Sequence, residues 1–154
     1  MYPAHVAAKK RRRVAKPAPI SIESSDNPLI VRTSFADARA WSAVREIVAR
    51  PVGDGFRANV DYLDAPAFDG LTKDQLVERI GKKYDHAFIV IADDVTMSGK
   101  DHALLVVDLD EKRGSAFRAL PSQIQSIENN LSLANMDFAE FAQNVGRGKV
   151  FRGF

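Results

Sequence analysis

The chain contains no cysteine among its 154 residues. This absence excludes disulfide bonds, thiolate metal sites and cysteine nucleophiles, and it suits a reducing compartment. No apolar run approaches the roughly 18 residues that a membrane-spanning helix requires, and no apolar stretch follows the N-terminal cations as it would in a secretory signal. We therefore expect a cytoplasmic protein that is neither exported by that route nor embedded in a membrane.

Carboxylates are missing from the first 21 residues, which hold six of the 22 lysines and arginines. The other 16 cations share residues 22–154 with all 20 Asp and Glu residues, so this larger part carries a net charge of −4 while the whole chain carries +2. A basic segment attached to an acidic domain is typical of a protein that binds a polyanion. The six cations are Lys9, Lys10, Arg11, Arg12, Arg13 and Lys16.

Two segments are predicted from the composition: a disordered basic arm and linker over residues 1–27, and a single domain over residues 28–154. The first segment combines the cations with prolines and a polar run at residues 24–27, a composition that buries too little surface to offset chain entropy. Since the chain is 45% hydrophobic, the remainder has enough apolar material for one core but not for two.

The apolar patterns of this domain predict an α/β fold. Strands are expected at residues 29–31, 58–62, 88–92, 104–107 and 116–119. Helices are expected at about residues 38–50, 72–81, 124–131 and 138–145. Residues 93–102 show no helical periodicity and are too few for a full crossover helix, which favours antiparallel pairing of the strands on either side. We therefore expect a mixed sheet of about five strands covered by about four helices.

The C-terminal residues add a cationic turn at 146–149 and a terminal strand to this expectation. Phe151 and Phe154 flank the last arginine and glycine. Large apolar side chains are usually buried, so both are predicted to dock into the core.

The domain contains the phrase IENNLSLANMDF at residues 127–138 and ends in VFRGF. Both phrases resemble an uncharacterised family of small bacterial domains of unknown function that is common in actinobacteria. The segments LIVRTSF, FDGLT and LLVVDL resemble the same pattern, so the resemblance covers roughly residues 28–154. It implies neither an activity nor catalytic residues, and it leaves the basic arm outside the family pattern.

The arm admits three interpretations. Its cations can neutralise phosphates and give salt-sensitive binding to nucleic acid that is independent of sequence. The phrase KKRRRVAKP also resembles a nuclear-import signal, and such a tail can simply aid solubility. No aromatic residue lies between the cations, so contact with the phosphate backbone is favoured over base stacking.

Four aspartates at predicted strand ends offer an alternative, enzymatic interpretation as a magnesium site. Aspartates are also common in solvated turns, which is the simpler explanation, and antiparallel pairing would separate the two pairs. The three histidines are widely separated and match no zinc pattern. With no phosphate-loop spacing either, we expect no cofactor. The four residues are Asp93, Asp94, Asp108 and Asp110.

The most distinctive polar segment of the domain contains Asn129, Asn130, Asn135 and Asp137. Asparagine tolerates the left-handed backbone conformation that ends helices, and Asp137 is suited to cap the helix that follows. The segment therefore predicts a corner between two helices, and its amides also suit a surface that binds a protein partner. We expect a non-enzymatic adaptor that binds a protein through its domain and a polyanion through its arm, the alternatives being a metal-dependent hydrolase and a component of a larger assembly.

Overall fold

The computed structural model describes residues 20–154. In this range the chain folds into one six-stranded mixed sheet with helices on both faces, which confirms the predicted α/β class. The strands are β1 (Leu29–Arg32), β2 (Asp61–Leu63), β3 (Phe88–Ala92), β4 (Leu104–Asp108), β5 (Ala116–Ala119) and β6 (Val150–Phe151). The α-helices are α1 (Ala38–Ala49), α2 (Lys73–Glu78), α3 (Asp94–Ser98), α4 (Ile124–Ser132) and α5 (Phe138–Ala142).

The strands lie in the order β2-β1-β3-β4-β5-β6. β1 pairs in parallel with β2 and β3, β4 runs antiparallel to β3 and β5, and β6 is parallel to β5. The predicted antiparallel pairing of β3 and β4 is therefore confirmed. Because β4 alone runs the other way, the other five strands end at one edge of the sheet, which we call the carboxyl edge. At the opposite edge, the amino edge, β4 ends and β5 begins.

The connection between β3 and β4 contains a helix, α3, where the sequence predicted none. Its N-cap is Asp93, whose carboxylate accepts a hydrogen bond from the Thr96 N–H at 3.2 Å while the Thr96 hydroxyl accepts one from the Asp93 N–H. Five residues are too few to display a 3.6-residue period. The helix therefore forms from its capping box and could not be recognised from apolar spacing.

Capping side chains begin the first two helices. Asp37 accepts hydrogen bonds from the N–H groups of the first turn of α1, which ends before Pro51. Thr72 and Gln75 form a reciprocal capping box at the start of α2. These side chains satisfy backbone donors that a helix cannot satisfy internally.

Each face of the sheet is covered by its own hydrophobic core. On one face, Val90 of β3 packs among residues of α1, α4 and α5, while on the other Ile89 and Ile91 pack against Leu76 of α2. Strands buried on both faces carry continuous apolar runs, which explains why the sequences of β1 and β3 are apolar at nearly every position.

Two expectations about individual segments are wrong. The strand expected over residues 58–62 pairs only at Asp61–Leu63, since the Asn59 N–H donates to the carboxylate of Glu128 instead of to a neighbouring strand. Phe151 is buried as predicted, but Phe154 is 73% exposed, and its ring centre lies 5.1 Å from that of Phe151 and 5.4 Å from that of Phe141.

Part of the segment assigned to the linker is built into the domain. Ile22 is 4% exposed and lies in the same core as Leu76. Its N–H donates to the Arg79 carbonyl and its carbonyl accepts from the Gly81 N–H, both at 2.7 Å. The chain therefore enters the domain beside the end of α2, six residues ahead of the expected boundary.

Candidate binding groove

At the carboxyl edge, Asp93 forms a two-pronged ion pair with Arg118 of β5. The two guanidinium nitrogens donate to the two carboxylate oxygens at 2.7 and 2.8 Å. Burial raises the pKa of Asp93, but the hydrogen bonds and charge of Arg118 outweigh burial and hold the pKa below its ordinary value. Because both oxygens are already bound by Arg118, this carboxylate is poorly placed to bind a cation.

Two further arginines neutralise carboxylates along the same edge. Arg32 contacts Asp64 at 3.3 Å, and Arg152 contacts Asp101 at 2.9 Å. The hydrogen bond from Arg152 lowers the pKa of Asp101. The carboxyl edge is therefore a row of paired charges, and it does not present free carboxylates as a group.

At the amino edge, Asp108 organises the turn between β4 and β5. It is only 3% exposed, and its two carboxylate oxygens accept hydrogen bonds from the N–H groups of Asp110 and Lys112, each at 2.9 Å. This pattern is an aspartate turn, in which the side chain satisfies backbone donors. Asp110 itself is exposed.

The four aspartates of the predicted magnesium site do not converge. Phe88, which begins β3, pairs with Asp108, so Asp108 and Asp110 lie at the end of β3 opposite to Asp93 and Asp94. Within residues 20–154, no three Asp, Glu, His or Cys side chains are grouped so that they could hold a metal ion. The geometry of the described residues gives the hydrolase interpretation no support.

The asparagine-rich segment forms the predicted corner between α4 and α5. Asn130 donates from its side-chain amide to the Ser126 carbonyl at 2.8 Å, and its own carbonyl accepts from the Asn135 N–H at 2.9 Å. The residue in the left-handed conformation is Ala134, with φ of 55°, and not an asparagine as expected. Asn129 and Asn135 are exposed, so their amides face solvent.

Asp137 stands at the N-cap of α5, as predicted. Glu140 accepts a hydrogen bond from the Asp137 N–H at 2.7 Å, which fixes the direction in which α5 leaves the corner. Asp137 is itself exposed. The corner therefore brings this carboxylate to the amino edge of the sheet.

The fold joins this corner to the β4–β5 turn across a groove that the sequence did not predict. Two adjoining pockets of about 100 and 240 Å³ form it, and they share Asp108, Glu111 and Phe138. We call it the acidic groove. The first pocket is lined by four carboxylate residues, Asp108, Asp110, Glu111 and Asp137, and by five apolar residues, Ala87, Leu131, Ala134, Met136 and Phe138.

The chemistry of the acidic groove suits a cationic segment with some apolar character. Three of its carboxylate residues are exposed, namely Asp110, Glu111 and Asp137, whereas the Asp108 carboxylate is committed to the turn. Of the described residues that line the groove, Lys112 is the one cation. Apolar and acidic side chains thus line the same groove, and surfaces that bind another chain commonly combine an apolar centre with polar surroundings.

Glu128 and Tyr84 are among the buried polar groups that were not singled out in the sequence. Glu128 is 4% exposed and accepts the Asn59 N–H at 2.8 Å. Tyr84 is 7% exposed and its hydroxyl bridges β1 and β3. Tyr84 belongs to a polar stretch whose spacing does not indicate burial, whereas Glu128 follows Ile124 by four residues and so shares the buried side of α4.

The basic arm lies outside the described residues, so the structure does not show Lys9, Lys10, Arg11, Arg12, Arg13 or Lys16. Within residues 20–154, none of the helices combines the length and apolar character needed to cross a membrane.

A comparison with curated proteins finds no match. A family model does match residues 27–154, which is most of the chain. The chain therefore belongs to the family described as a domain of unknown function, DUF6924.

Proposed function

We propose that the chain is a non-enzymatic binding protein with two separate binding elements. The domain recognises a protein partner through the acidic groove and the neighbouring corner, and the basic arm contacts nucleic acid or another polyanion. The observation that carries the proposal is the separation of charge. Six cations and no carboxylate occupy the first 21 residues, while three exposed carboxylates are gathered on an apolar surface of an acidic domain.

This separation assigns the two tasks. A domain with a net charge of −4 repels phosphates, whereas cations in the arm release counterions when they contact them. The groove has the reverse preference and suits a basic or amphipathic surface of a protein. We further propose a cytoplasmic location and a bacterial adaptor or immunity-type role, which the resemblance of the IENNLSLANMDF and VFRGF phrases suggests.

Binding to a mixed-sequence DNA duplex and to RNA, measured across a salt series, tests the role of the arm. Three full-length proteins are compared: the unaltered chain, an arm-neutral variant with all six arm cations changed to Gln, and a control in which every arm Lys becomes Arg and every arm Arg becomes Lys. The unaltered chain and the charge-preserving control should bind, with a logarithmic salt slope of up to about −5 for six phosphate contacts on duplex DNA. The arm-neutral variant should not bind.

Equal affinity of the arm-neutral variant and the unaltered chain would refute the proposed role of the arm. If the unaltered chain and the charge-preserving control differed in affinity for nucleic acid, the arm would recognise more than phosphate charge. That result would refute the proposed contact with the phosphate backbone.

The role of the groove is tested by capture of partners after nuclease treatment, so that nucleic acid does not bridge the proteins. A groove-neutral variant carries D110N, E111Q and D137N, and asparagine at position 137 remains a good N-cap. Its control carries E46Q, D69N and D94N, which remove the same charge at exposed positions outside the groove. A partner lost only from the groove-neutral variant, and then shown to bind the purified chain, supports the proposal. A partner retained by that variant contradicts it.

A further inference from the structure

We infer that the acidic groove is also the docking site of the chain's own arm, residues 9–16, and that polyanion and groove compete for it. The inference builds on the polyanion-binding role proposed above. In free protein the arm occupies the groove, and a polyanion or a protein partner displaces it. Three properties of the arm support it as the occupant: its charge, the point where it joins the domain, and its length.

Charge complementarity is the first argument. The exposed residues Asp110, Glu111 and Asp137 line the same groove as the apolar residues Leu131 and Met136. In the arm, the phrase KKRRRVAKP places Val and Ala among the cations. Opposite charges steer such a segment to the groove, and its small apolar residues suit the apolar part of the lining.

The position of the arm's attachment is the second argument. Ile22 is held by hydrogen bonds to Arg79 and Gly81 at 2.7 Å. Gly81 lines one pocket together with Leu109, and Leu109 lies between Asp108 and Asp110 in the turn that borders the groove. Ile22 is therefore anchored beside a pocket that reaches the turn bordering the groove, and the same pocket is lined by the cations Lys82 and Arg113.

The length of chain ahead of Ile20 gives the cations a long reach. At about 3.3 Å per extended residue, Lys16 can lie about 13 Å from Ile20 and Lys9 about 36 Å from it. A tethered segment also meets its site at an effective concentration in the millimolar range, so weak contacts suffice.

Amide chemical shifts in nuclear magnetic resonance spectra report directly whether the arm is docked in the groove. Spectra of the unaltered chain and the arm-neutral variant should differ at residues 108–115 and 131–143 at low salt. The differences should disappear at high salt and in the groove-neutral background. They should not depend on protein concentration. Identical groove shifts in the two proteins at low salt would overturn the inference, and shifts that grow with concentration would assign the contact to a second copy and overturn it as well.

Affinity for the DNA duplex gives a second readout. Only the undocked fraction of arms is free to bind DNA, so an affinity about tenfold higher in the groove-neutral variant corresponds to about 90% docking in the unaltered chain. The E46Q, D69N and D94N control corrects for the general loss of negative charge. Equal affinities of the two triple variants would overturn the inference. If no variant binds DNA, the proposed polyanion role fails, while the amide shifts still decide whether the arm docks.

Discussion

At the scale of single residues, Tyr84 joins two strands that are adjacent in the sheet but far apart in sequence. Its hydroxyl accepts a hydrogen bond from the Leu29 N–H at 3.1 Å and donates one to the Phe88 carbonyl at 3.0 Å. Burial raises the pKa of Tyr84 to about 12. The neutral phenol is therefore part of the folded structure at the amino edge.

Replacement of Tyr84 by Phe should lower the free energy of unfolding by about 1–3 kcal/mol near neutral pH, because the buried Leu29 N–H loses its acceptor. The folded-state pKa lies above the unfolded value of 10.0, so this stabilisation is complete below pH 10 and is lost as the pH rises towards 12. Urea unfolding of both proteins between pH 8 and 12 checks this, since other titrating groups cancel in the difference. A difference that stays constant over that range would contradict the assignment.

At the scale of elements, Glu128 ties helix α4 to the segment that leads into β2. Its carboxylate accepts the Asn59 N–H at 2.8 Å, and the side chain is buried between them. This contact holds residues 58–60 out of the sheet, which is why β2 is shorter than its alternating pattern indicates.

Changing Glu128 to Leu should destabilise the domain by about 1 kcal/mol, since the N–H of the exposed residue Asn59 exchanges its carboxylate acceptor for water. Changing Glu128 to Gln retains a carbonyl oxygen at the same place and should retain most of the stability. Hydrogen exchange at the Asn59 amide should accelerate in the Leu variant and stay slow in the Gln variant. Equal exchange in both variants would show that the hydrogen bond does not hold the segment.

The elements differ in how far the sequence reveals them. The runs of β1 and β3 are apolar throughout because both faces are covered, and Asp37 and Thr72 mark helix starts by local hydrogen bonds that act within three residues. The helix α3 is too short for a period. The acidic groove was beyond prediction, because it lies between residues 108–111 and 131–138 and depends on the antiparallel β3–β4–β5 arrangement and the direction of α5.

At the scale of the whole molecule, the boundary of the domain lies earlier than composition suggests. The polar run at residues 24–27 reads as linker, yet Ile22 ahead of it is anchored by two hydrogen bonds and a core contact. An isolated apolar residue within a polar stretch carries too little pattern to indicate burial. The anchor also fixes where the arm begins relative to the groove.

Ile22 should therefore contribute to the free energy of unfolding, whereas Ile20 should not. Changing Ile22 to Ala should cost about 2–5 kcal/mol, the usual range for a buried isoleucine. Changing Ile20, which is 43% exposed, to Ala should alter the free energy of unfolding by less than about 0.5 kcal/mol. Chemical denaturation of the two full-length variants distinguishes them. If Ile22→Ala altered the free energy of unfolding as little as Ile20→Ala, residues 20–27 would be a linker.

The outer strands of the sheet set how another chain can approach. β2 has three residues and β6 has two, so each offers few backbone groups to an incoming strand. Partners that extend a sheet need a longer open edge. The recognition proposed for this domain is thereby directed to side chains, and its specificity should change on substitution without alteration of the hydrogen-bond ladder of the fold.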